Sequence, residues 1–142
     1  MMPSYFASLT TLIINSSCDS LTSFPLGFFR KLEFFYVSNC TNLESLSIPD
    51  GIHHVEFTSL NYMYINNCPN LVSFPQGGLS APNLSVLILQ QCKKLKSLPQ
   101  GMHTLLTSLE ILVLYDCQEL VSFPDEAHGA QDGVGLAKAS IS

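Results

Sequence analysis

Five cysteines, Cys18, Cys40, Cys68, Cys92 and Cys117, are the residues of this 142-residue chain whose type best suits metal or redox chemistry. Their spacing argues against both. Structural zinc takes paired ligands such as Cys-x-x-Cys, whereas the nearest two cysteines here are 22 residues apart. Five is an odd number for a set of disulfides, and parallel side chains on stacked strands would hold their Cβ atoms farther apart than the ~3.8 Å a disulfide uses. Buried free thiols are the expectation. His53, His54 and Glu56 could be drawn as a metal cluster, but adjacent histidines on a strand face opposite ways and no fourth ligand is evident. The segment DGVGLAK at 132–138 shares only glycine content with a phosphate loop, since Lys138 follows an alanine. No Gly-x-Ser-x-Gly or other nucleophile signature occurs. The reading is therefore no enzyme and no cofactor. Three glycosylation sequons start at Asn15, Asn39 and Asn83. Asn39 and Asn83 immediately precede residues expected in the core, where a glycan would crowd the chain.

The cysteines become intelligible as one position used five times. CPNLVSFP at 68–75 returns almost unchanged as CQELVSFP at 117–124, and aligned copies begin at Leu9, Leu32, Leu60, Leu84 and Leu109. Successive starts are 23, 28, 24 and 25 residues apart, within or near the period of leucine-rich repeats. We delimit the copies as 9–31, 32–59, 60–83, 84–108 and 109–126 within a solenoid spanning 1–126, and expect 127–142 to be a disordered tail. In each copy a short stretch alternates apolar and other residues, as a strand does. Leu12 and Ile14, Phe35 and Val37, Met63 and Ile65, Leu87 and Leu89, Leu112 and Leu114 then point inward. The cysteine follows where the chain must turn, small enough to be buried and able to donate its S–H weakly to a loop carbonyl. An extra serine in NSSC displaces Cys18 by one and implies a local bulge. Leu21, Leu43, Leu71, Leu95 and Leu120 continue the core around the bend. Pro25, Pro75, Pro99 and Pro124 stop any helix there. The return paths are thus irregular, with a helical turn expected in GMHTLLTS and a longer second return filled by Ile48, Ile52, Val55 and Phe57. Neither end carries a polar cap, so the chain reads as a piece of a longer solenoid.

The fold class expected is the α/β class of leucine-rich repeats: a right-handed solenoid of five coils with short parallel strands on the concave side. Its convex side carries irregular loops and short helical turns. The outward residues of each strand line the concave side, among them Phe34, Tyr36, Tyr62, Tyr64, Ile88, Val113 and Tyr115. Four of the five tyrosines stand in that set with almost no charge, the pattern of a protein-binding surface. Composition agrees: 46% hydrophobic and 12% charged residues can build a core, and a net charge of −5 with six Lys and Arg offers no nucleic-acid stripe. No apolar run reaches the ~18 residues of a membrane span.

From Leu9 to Pro124 the repeat, with phrases such as LKSLPQGMHTLLTSLEIL and CPNLVSFPQGGLSAPNL, closely resembles the C-terminal repeats of plant nucleotide-binding leucine-rich-repeat disease-resistance proteins of the coiled-coil type. The resemblance implies a cytoplasmic immune receptor's sensor region. There, concave residues, here Phe34, Tyr36, Tyr62, Tyr64 and Tyr115, would recognise a pathogen effector or a guarded host protein. Other surfaces would hold the receptor's nucleotide-binding domain off. That domain and the coiled coil are missing from this chain, so a fragment, a truncated non-signalling paralogue or a decoy fits the resemblance. An F-box-type ubiquitin-ligase adaptor also uses cysteine-bearing repeats, but its continuation after the cysteine differs from LVSFP and LKSLP.

Overall fold

Period-2 alternation needs a neighbour on either side to close its backbone hydrogen bonds, and the repeats supply each other. The computed structural model describes residues 8–16, 20–48, 55–120 and 137–141. Its main sheet holds strands β1 (Thr11–Asn15), β3 (Phe34–Ser38), β5 (Tyr62–Asn66), β6 (Val86–Gln90), β7 (Ile111–Tyr115) and β8 (Ala137–Ile141), in that spatial order. Every neighbouring pair is parallel. Two further short strands, β2 (Ser23–Phe24) and β4 (Ser45–Leu46), pair in parallel away from that sheet, and Ser73 bridges to Ser45 beside them. The first three coils are therefore held at two places, once by a five-residue strand and once near the Ser23, Ser45 and Ser73 corners.

Register decides which residues share a column. Leu12, Phe35, Met63, Leu87 and Leu112 stand side by side, as do Ile14, Val37, Ile65, Leu89 and Leu114. These two columns form the inner layer, and from Phe35 to Leu114 every member is buried. Leu43, Leu71 and Leu95 fill the next layer, and Phe24, Leu46, Phe74 and Leu98 the layer beyond. The Phe24 ring lies 5.5 Å from Phe35 and 5.2 Å from Phe29, so the first coil's corner packs directly on the second coil's strand. The long second return fills as its composition suggests, with Val55 and Phe57 buried and Ile48 partly so; Ile52 lies outside the described residues.

Helix is scarce because the corner prolines interrupt it. A 3-10 turn covers Leu26–Phe28, and one short helix, α1 (Met102–Leu105), forms within GMHTLLTS, entered through Gly101 at φ 63°. The sheet's last strand departs from the sequence reading. The tail after residue 126 was expected to be disordered, yet 137–141 pairs with all five residues of β7. The outer edge of β7 offers unpaired N–H and C=O groups, and such an edge accepts a strand through its backbone without needing the leucine pattern.

Candidate functional site

Sequence alternation places a second, outward set of residues on the same strands. Three columns result: Thr11, Phe34, Tyr62, Val86, Ile111; Ile13, Tyr36, Tyr64, Ile88, Val113; and Asn15, Ser38, Asn66, Gln90, Tyr115. None is an acid or a base other than tyrosine. Ile13 is 65% exposed, Phe34 47% and Ile111 and Tyr115 42% each, while Tyr36, Tyr62, Tyr64, Ile88 and Val113 are half-buried. All seven outward residues singled out in the sequence therefore share one open face.

On that face the rings pair across strands. Tyr36 and Tyr64 have centroids 4.5 Å apart and planes tilted by 30°; Phe34 and Tyr62 lie 6.0 Å apart at 46°. Both separations fall in the range favoured for aromatic pairs. Tyr64 also donates its hydroxyl to Gln90 Oε1 at 2.8 Å, which fixes the ring's far end. Partial burial, then the neighbouring phenols of Tyr36 and Tyr62, push the Tyr64 phenol above its usual range. It stays neutral at physiological pH. The result is an uncharged aromatic surface built of cross-strand ring pairs.

One border of the platform is a polar line that sequence reading missed. Immediately after each of β1, β3, β5, β6 and β7 one residue takes a left-handed backbone: Ser16, Asn39, Asn67, Gln91 and Asp116, with φ between 53° and 62°. Asn and Asp tolerate this region better than most residues, so Asn39, Asn67 and Asp116, each just before a cysteine, carried the signal. The Asn39 and Asn67 side chains link the coils. Asn15 Oδ1 accepts from Ser38 Oγ at 3.0 Å and Asn39 Nδ2 at 3.2 Å, and Asn67 Nδ2 donates to Asn39 Oδ1 at 2.8 Å. The amide nitrogens of two sequon asparagines are thus occupied, since Asn83 Nδ2 donates to Thr58 O at 2.5 Å.

The cysteines follow this turn. Cys40, Cys68 and Cys92 are buried, Cys117 is half-buried, and all four are free thiols; Cys18 lies outside the described residues. Each Sγ donates to the carbonyl two residues earlier, on Ser38, Asn66, Gln90 and Tyr115, at 3.6–3.7 Å. Burial pushes the Cys68 thiol up. A hydrogen bond to Cys117, together with burial, raises Cys92 strongly, and the same bond holds Cys117 down at about 7. His53 and His54 lie outside the described residues. On the β2–β4 side, Ser73, Phe74, Pro75, Gln76, Ser97, Leu98 and Gln100 line a depression of about 140 Å³, smaller than the ~300 Å³ at which ligand pockets usually begin.

No family model matches the chain. Among curated proteins, one from Arabidopsis thaliana named for disease resistance is 43% identical over 104 residues, 73% of this chain and 7% of that protein. An RPP13-like disease resistance protein from the same plant is 46% identical over 43 residues, 30% of this chain and 4% of its own length. The chain thus spans a small part of the relatives it matches. The leucine-rich-repeat domain of the type III effector XopL aligns with a TM-score of 0.45 at 22% identity, covering 96% of this chain and 62% of that one.

Proposed function

We propose, from the premise that this chain belongs with the leucine-rich-repeat segments of plant disease-resistance proteins, that its open sheet face is a protein-recognition surface. The module is non-catalytic and works in the cytoplasm. Its partner is a pathogen effector, a guarded host protein, or the nucleotide-binding domain of the receptor type it resembles. One observation carries this reading: Phe34, Tyr36, Tyr62 and Tyr64 form a contiguous, uncharged aromatic platform that is left open by the rest of the described chain. Exposed apolar area of this kind marks interaction sites, and tyrosine gives large contact area at little entropic cost. The cysteines take the structural role, tying each turn to its own strand. No helix among the described residues is long and apolar enough to cross a membrane.

The test is photo-crosslinking in plant extract with a crosslinker at position 88, comparing the parent with a Tyr36→Ala/Tyr64→Ala variant and a Gln76→Ala control on the β2–β4 side. Loss of the crosslinked proteins in the tyrosine variant alone is the expected result. Equal crosslinking in all three would remove the assignment.

A further inference from the structure

The open face has a chemical preference that narrows its partner, and this inference rests on reading that face as a binding surface. Ring faces carry the negative part of an aromatic quadrupole, and here two ring pairs lie together with no cation among the outward strand residues. At the border opposite the asparagine line, Glu33 and Glu110 stand exposed one residue before β3 and β7. Among the described residues the one ion pair joins Lys93 to Asp116 at 3.7 Å, so neither glutamate is neutralised by contact, even though Arg30 and Lys31 are close in sequence to Glu33. The chain as a whole carries −5.

We infer that the face receives an extended partner segment bearing arginine, with one guanidinium on the Phe34–Tyr62 ring pair beside the Glu33 carboxylate. Arginine fits better than lysine because a planar, weakly hydrated guanidinium stacks on a ring while still pairing with a carboxylate. Spacing favours an extended segment. Phe34 and Tyr36 are two residues apart on β3, and Tyr62 and Tyr64 two apart on β5. The two ring pairs are therefore about 7 Å apart along the strands, the distance between side chains i and i+2 of an extended chain. A partner segment running along the strands presents its first arginine to Phe34–Tyr62 and its next same-side residue to Tyr36–Tyr64. Gln90, already engaged by the Tyr64 hydroxyl, holds the second ring pair in place.

The experiment titrates the intact chain with three peptides, Ac-GRGRG-NH2, Ac-GKGKG-NH2 and Ac-GEGEG-NH2, following tyrosine ring signals by NMR. The arginine peptide should bind at least about fivefold more tightly than the lysine peptide, and the glutamate peptide should leave the signals unmoved. Glu33→Gln and, separately, Phe34→Ala should each weaken the arginine peptide by about three- to tenfold; both positions are exposed, and retained sheet signals verify folding. Equal shifts with all three peptides, or unchanged affinity in both variants, would overturn the assignment. So would concentration-dependent self-association abolished by Phe34→Ala, which would make a second copy of this chain the occupant. If the crosslinked proteins depend on Tyr36 and Tyr64 while the arginine peptide never binds, the recognition face stands and the arginine preference falls.

Discussion

Strands β1 and β5 carry the same alternation, yet the chain buries them differently. Met63 and Ile65 of β5 expose nothing, whereas Leu12 and Ile14 of β1 are only half-buried. The side chains are equally apolar, so the difference lies in their neighbours. Among the described residues, strand β5 has β3 on one side and β6 on the other, while β1 has β3 alone. A coil in a solenoid owns half of its core and borrows the rest. Outward residues show the complementary behaviour: Ile13 is the most exposed large hydrophobic residue described, although it sits between Leu12 and Ile14. Burial follows face and coil position more than residue type.

Substitutions can break this comparison at graded points. The largest effect belongs to the middle of the array, where Leu87→Ala should cost about 2–5 kcal/mol by urea denaturation, because the cavity is enclosed by coils on both sides. In the end coil, Leu12→Ala should cost about 1–2 kcal/mol, since its side chain already meets solvent and leaves less of a void. Equal losses at the two positions would refute the account of shared cores.

The turn line sharpens the comparison further. Asn39→Ala removes three side-chain hydrogen bonds and forces alanine into a left-handed backbone, so about 1–2 kcal/mol is expected, with Asn39→Gly recovering part of it by restoring backbone freedom. If glycine is no better than alanine in thermal melts, the positive φ is not what selects the residue.

A smaller effect is one of pH. The Cys68 thiol is raised by burial, so the folded chain holds that proton more tightly than the unfolded chain does. Its contribution to stability is complete below the unfolded value near 8.5 and is lost as pH rises through the folded one. Melting temperature should therefore fall less steeply from pH 8 to 10 in Cys68→Ala than in the parent, and identical slopes would contradict the burial argument. Smallest of all, Ile13→Ser should change stability by no more than about 0.5 kcal/mol in the same urea measurement.

Much of the coil was legible because its signals are local. Leucine spacing, strand alternation and the prolines after Phe24, Phe74 and Leu98 each need only a few adjacent residues to be read. The turn before each cysteine was partly legible: asparagine precedes Cys40 and Cys68, but glutamine at 91 has no special taste for a left-handed backbone and gave no warning. The pairing of Tyr36 with Tyr64 and of Phe34 with Tyr62 depends on register between copies 28 residues apart. The second return is the longest of the four, and local pattern does not fix how its extra residues are absorbed.

The sequence by itself determined the repeat, the inward columns and the cysteine position, because a period-2 strand repeated at near-constant spacing can bury its leucines in only one way. Tertiary structure alone decided which outward rings meet, how completely each coil is covered, that the asparagines join one coil to the next, and that 137–141 takes the edge of β7. These depend on contacts between segments far apart in the chain. There the governing quantities are the ~4.8 Å spacing of paired strands and the need of every edge for hydrogen-bond partners, and neither is written in any single stretch of residues.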